Sequence, residues 1–167
     1  MKTVFRIPQG LLRSIHADLD RPHAFAGERV GFISCRQSVQ PGGLAILAEG
    51  YHAVADQDYV DDPRFGAAVS GSGFRKMLSL AYGDPINVFH VHRHECRGLP
   101  GFSRTDISES QKFIPDFWKV RPGITHGIIV LSHDSAQGLG WDPVDRRPKP
   151  IDEIQIVGMP MRWMWEA

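Results

Sequence analysis

Apolar and polar side chains alternate across residues 1–7, the two-residue period of a half-buried strand, until Pro8 interrupts it. Leu11, Leu12, Ile15 and Leu19 then recur at helical spacing before Arg21-Pro22 ends the run. From Gly27 onward Glu28, Val30, Phe32, Ile33 and Cys35 predict a second strand, and Gly42-Gly43 leads into a third through Leu44, Ile46 and Leu47. Their adjacency predicts a hairpin or meander. Residues 51–66, with Asp56, Asp58, Asp61 and Asp62, are too acidic for a core element throughout and predict a strand running out into a solvated surface loop.

Ser70-Gly71-Ser72-Gly73 opens a second helix, with Phe74, Met77, Leu78, Ala81 and Tyr82 on one face and Gly83-Asp84-Pro85 as its stop. Residues 86–92 read as a buried strand, 93–102 as a loop containing Gly and Pro, and Ser103 as the start of a third helix running through Phe113. Core strands are predicted at 127–132 and 154–159, with a short one around Trp141 and a Pro-rich turn at 143–150 between them. There is no internal repeat and no linker. The order β, α, β, β, α, β, α, β, β, β predicts an α/β fold in which helices flank a mixed β-sheet, with residues 1–167 forming a single domain.

Composition narrows the function. Apolar residues are 42% of the 167 and charged residues 23%, which excludes disorder, collagen and coiled coil. Nineteen Lys and Arg balance 19 Asp and Glu, so a general attraction to nucleic acid or to an anionic membrane has no support. No stretch approaches the roughly 18 consecutive apolar residues of a membrane span. Arg6, Gln9, Arg13 and His16 interrupt any signal-peptide core, and Cys35 and Cys96 are the only cysteines, so the expected compartment is the cytoplasm.

The unusual feature is histidine. Three of the eight fall at 90, 92 and 94, and the strand period puts them on one face. Eleven residues past His92 comes Ser103-Arg104-Thr105-Asp106, where a serine opening a helix places an aspartate on its first turn. Two neutral imidazoles and a carboxylate, with one position left open, form the donor set of catalytic zinc. Alone, Ser103-x-x-Asp106 is a capping-box variant and His-x-His a surface or hydrogen-bonded pair; together they are far more specific. His90 with His92 is the preferred pair, and alternation leaves His92 with His94 open as a second register. The Asp56–Asp62 cluster reads as a solvated loop rather than a cation site.

His90-x-His92, a loop, Ser103-x-x-Asp106, and Glu28 far upstream resemble the JAMM motif of the JAB/MPN family of zinc metalloproteases. The resemblance covers nearly the whole chain, since Gly27-Glu28-Arg29-Val30-Gly31-Phe32 is similar to the family's Glu-bearing strand and residues 127–132 to its core strand after the motif. Two departures stand out. The ten-residue loop from His92 to Ser103 exceeds the common form, and Arg93 replaces the usual proline. The His-x-His-x-His run with a longer loop is similar to stand-alone prokaryotic, deubiquitinase-like members.

The resemblance implies a JAB/MPN (cytidine-deaminase-like) architecture, one Zn²⁺ per chain on His90, His92 and Asp106, Glu28 as general base and Ser103 as an oxyanion donor. Glu49 is the rival carboxylate to Glu28. The implied activity is isopeptidase or peptidase cleavage after the C-terminal glycine of a ubiquitin-like modifier, in bacterial deconjugation or precursor maturation, alongside activating and conjugating enzymes. The expected tail groove lies between residues 51–66 and the loop 93–102. Phe113, Phe117, Trp118, Trp163 and Trp165 read as core, with a partner surface as the alternative. A metal-free scaffold and a DNA-repair role are the other readings. A zinc deaminase is set aside, because neither cysteine sits in a Pro-Cys-x-x-Cys context.

Overall fold

A computed structural model describes residues 2–158. It is an α/β structure in which eight strands form one mixed sheet. In chain order the elements are β1 (Lys2–Pro8), α1 (Gln9–Leu19), β2 (Val30–Gln40), β3 (Gly43–Ala53), a 3-10 turn (Asp56–Asp58), α2 (Gly71–Gly83), β4 (Asn87–Arg93), α3 (Arg104–Val120), β5 (His126–Leu131), β6 (Ala136–Trp141), β7 (Pro148–Pro150) and β8 (Glu153–Val157). The sheet order is β7-β6-β5-β4-β2-β3-β1-β8. β2 pairs antiparallel with β3 and with β4, whereas β4 with β5, β1 with β3 and β1 with β8 are parallel.

Helices cover both faces. Ile15 and Leu19 of α1 pack on Phe5, Ile33, Ile46, Phe89, Val91 and Ile129. Met77 and Ala81 of α2 and Phe117 of α3 pack on Val30, Phe32, Val54 and Val88 of the opposite face, and Ile114 joins Ile128 and Trp141. With both faces and both edges covered, β4 has six of seven residues buried. Its alternation sends Phe89 and Val91 toward α1 and leaves His90 and His92 on the side of α2 and α3.

The predicted strands and helices are present, with four adjustments. Pro148–Pro150, expected as turn, forms a three-residue strand at the sheet edge, where a missing proline N–H costs no ladder bond. The third helix continues to Val120 with Pro115 inside it. The last strand ends at Val157, so Met159, Trp163 and Trp165 lie outside the described residues. The acidic loop is not simply solvated: Asp58 is buried, paired with Lys76 and accepting from Ser72 Oγ at 2.9 Å, while Asp56 pairs with Arg29 at 2.8 Å and Asp62 with Arg64 at 2.6 Å. Of the aromatic residues expected in the core, Phe113, Phe117 and Trp118 all pack there. Among the described residues no helix is long and apolar enough to cross a membrane.

Candidate metal centre

The histidine run ends at the carboxyl end of β4. His92, 3% exposed, is the last of the three still in the strand. His94 lies one residue beyond it, and its N–H donates to Leu131 O at 2.9 Å while its carbonyl accepts from Cys96 N–H at 2.8 Å. Released from the pleat, His94 turns its ring back so that its Nε2 lies 3.2 Å from His92 Nε2.

Asp106 reaches the same point from α3. Its carboxylate accepts from the Ser103 N–H at 2.7 Å through Oδ2, and its own N–H donates to Ser103 Oγ at 3.1 Å, a complete capping box. Capping engages Oδ2 and leaves Oδ1 facing the His92 imidazole. Oδ1 is 3.5 Å from His92 Nε2, and Oδ2 is 3.9 Å from His94 Nε2. The structural and ligating roles of this motif are therefore compatible, since Oδ1 is free of the capping box. Burial acts to raise the Asp106 pKa, but the neighbouring His92 and the Ser103 donors outweigh it and hold the carboxyl down at about 2.

Glu28 approaches from the segment before β2. Adjacent Arg29 is buried and anchored: its guanidinium donates to Arg21 O at 2.7 Å, Pro22 O at 2.9 Å and Asp56 at 2.8 Å. The Val30 N–H donates to Tyr59 Oη at 2.9 Å. With its neighbours tied down, Glu28 offers a carboxylate oxygen that, with one nitrogen each from His92 and His94, forms a group whose ligand atoms all lie within 4.8 Å of one another. Two imidazole nitrogens and a carboxylate are a donor set that can hold a metal ion, and Asp106 stands beside it. The buried Nδ1 of His92 has no hydrogen-bond partner among the described residues, so this ring's polar contacts are all made through Nε2 at the cluster.

The converging ligand atoms are those of His92 with His94, whose ring centroids are 5.0 Å apart; the expected pair, His90 with His92, is only slightly wider. Those rings stand 5.7 Å apart between centroids, and His90 packs between Phe32 and Phe113 at 5.5 Å and 5.6 Å. Burial first, then the adjacent His92, push its pKa down to about 3, so the ring is neutral at pH 7. Strand alternation gives all three histidines one face, with Cα atoms roughly 7 Å apart at every second position, and His94, past the strand end, brings its ring nearer to His92. Taking His94 as the second histidine leaves eight residues, 95–102, before Ser103, two fewer than the expected register. Glu49, the rival carboxylate, is instead paired with Arg36 at 3.0 Å on the hairpin.

The cluster lines a cavity of about 670 Å³ together with Val69, Phe74, Leu78 and Phe113. Its outer wall is the stretch 64–69 and its sides are α2 and α3. Of the loop 93–102, against which a groove was expected, only His94 lines this cavity. That loop is drawn toward the β5–β6 turn instead: Ser132 Oγ donates to Gly98 O at 2.8 Å, and Gly98 N–H donates to Asp134 at 2.7 Å.

Two contributors were not foreseen. Arg93 is buried on the α1 side, where it pairs with Asp20 and, at 2.7 Å, with Glu95, bracing both neighbours of His94. Gly66, on the outer wall, touches Glu28. Both depend on contacts between segments distant in sequence or folded back on themselves, which side-chain periodicity does not report. No protein-family model matches the chain, and no curated protein is significantly similar to it.

Proposed function

We propose that this chain is a zinc-dependent isopeptidase or peptidase of JAB/MPN type that cleaves after the C-terminal glycine of a ubiquitin-like modifier. The observation that carries the reading is the convergence of Glu28, His92, His94 and Asp106, from three separate elements, in an apolar-walled cavity. His92, His94 and Asp106 are the residues that would hold zinc; His90 is set aside because it lies outside the group of converging ligand atoms. Zinc bound there would supply Lewis acidity and lower the pKa of water from about 15.7 to about 7.

The chain's own groups complete the hydrolysis. Glu28 has no cationic partner among the described residues, and it takes the proton from the attacking water and returns it to the departing amine. Ser103 Oγ already accepts the Asp106 N–H; its own hydrogen is free to donate to the oxyanion that develops on the scissile carbonyl. Asp106, fixed by the capping box, keeps its orientation through the cycle. A narrow, flexible tail suits this cavity, because glycine at the scissile bond demands little room beside the metal cluster while Val69, Phe74, Leu78 and Phe113 accept an apolar residue further along. The same resemblance supports a cytoplasmic setting with a modifier, its conjugates and their activating and conjugating enzymes as partners; the balanced charge favours neither nucleic acid nor membrane.

The test is hydrolysis of a ubiquitin-like modifier fused through its C-terminal glycine to a fluorogenic reporter. The zinc-loaded protein is expected to release the reporter, and Glu28→Gln to lower turnover by about 10²–10⁴-fold, the worth of a positioned general base, with metal content unchanged. Zinc-loaded protein inert toward a panel of such fusions contradicts the hydrolytic reading and favours a scaffold.

A further inference from the structure

Gly66 meets Glu28 in two ways. Its carbonyl oxygen accepts the N–H of Gly27 at 2.8 Å and that of Glu28 at 3.2 Å, so Gly66 holds the backbone carrying the carboxylate at two points. A Cβ on Gly66 would lie 2.1 Å from Glu28 Oε1, 2.9 Å from its Cδ and 3.0 Å from its Cγ. The Glu28 side chain occupies the space that a side chain at 66 would fill.

Conformational freedom does not account for the glycine. Gly66 is not among the positive-φ residues, so its backbone suits any L-residue. Space accounts for it. The wall that carries Gly66 is itself tethered: Val60 N–H donates to Ala68 O at 2.8 Å, Ser70 N–H donates to Asp58 O at 2.7 Å, and Tyr59 bridges Val69. A methyl group introduced at 66 therefore meets a held backbone on one side and a flexible glutamate on the other, and the glutamate is what yields.

We propose that Gly66 is a positioning residue for Glu28: the side chain it lacks leaves the slot that points the Glu28 carboxylate at His92 and His94. The proposal rests on reading His92, His94 and Asp106 as a metal site with Glu28 as the base beside it. Gly66 acts at no reacting atom; it acts through Glu28 alone. Its effect must therefore vanish when Glu28 is absent, which separates it from a general structural role.

The experiment is a double-mutant cycle of Gly66→Ala and Glu28→Ala, read in the metal-free crystal structure, the visible spectrum of the Co²⁺-loaded protein and the hydrolysis of the reporter fusion. Gly66→Ala is expected to bind Co²⁺ at the wild-type ratio, to shift the spectrum as Glu28→Ala does, and to lower turnover by about 10²-fold, the cost of a misplacement of about 1 Å. Added to Glu28→Ala it changes nothing further. In the crystal the carboxylate leaves its slot while residues 59–69 stay in place. An unmoved carboxylate, or an equal loss with and without Glu28, overturns the proposal. Wild-type protein that binds no Co²⁺ refutes the metal reading instead, and the crystal structure of Gly66→Ala still decides the role of Gly66.

Discussion

Two groups of carboxylates lie on either side of the same loop and have opposite surroundings. Asp56, Asp58 and Asp62 each hold a cation of their own, Arg29, Lys76 and Arg64. Glu28 and Asp106 hold none among the described residues; Asp106 faces the imidazoles of His92 and His94, and Glu28 shares their cluster. The first group is already neutralised, and its Asp56 and Asp58 stitch the 3-10 turn to the segment before β2 and to α2. The second leaves anionic and neutral donors together, an arrangement that a divalent cation completes. Acidic residues are thus informative by partner rather than by number, since the richer cluster in sequence is the poorer metal site in space.

Exchanging members of the two groups sharpens the contrast. The largest effect is expected from Asp106→Ala, which removes a ligand and should weaken zinc binding by more than the roughly 10–100-fold that loss of an outer partner costs. It also removes half of the capping box, lowering stability by about 1 kcal/mol, and zinc titration beside urea unfolding separates the two losses. Asp58→Ala should do the reverse. It strips Lys76 and Ser72 of a shared acceptor, so the unfolding midpoint falls while zinc affinity stays at the wild-type value. A loss of zinc binding in Asp58→Ala would break the comparison.

The smaller effect is one of pH. Asp106 has a folded-state pKa of about 2, below its ordinary 3.8. A depressed pKa contributes stability that is present above about pH 4 and is lost as pH falls through 2. Metal-free Asp106→Asn, which has no charge to lose at that position, should therefore show a shallower decline in stability between pH 4 and 2 than the wild type. Identical acid unfolding curves would remove the electrostatic part of the account.

Most of the fold was legible because it is written in periods. β4 reads as an uninterrupted buried run since both faces and both edges are covered, and α3 announces itself through Ser103-x-x-Asp106. The short strand at 148–150 was hidden by its prolines, which an edge tolerates. At the site, alternation gave the common face of the three histidines but is degenerate about which two meet, because the answer depends on His94 lying past the strand end. Glu28 came from resemblance rather than from periodicity. Asp58 looked solvated because its burial depends on Lys76 and Ser72 arriving from α2, and the pairing of Arg93 with Asp20 joins elements more than seventy residues apart.

The central claim is that His94, rather than His90, completes the metal site with His92 and Asp106. Metal content after loading and desalting tests it directly in the wild type and in His90→Ala, His92→Ala and His94→Ala. The account predicts about one zinc per chain in the wild type and in His90→Ala, and loss of it in His92→Ala and His94→Ala. Retention of zinc by His94→Ala together with its loss from His90→Ala would contradict the account and restore the register one strand pleat earlier.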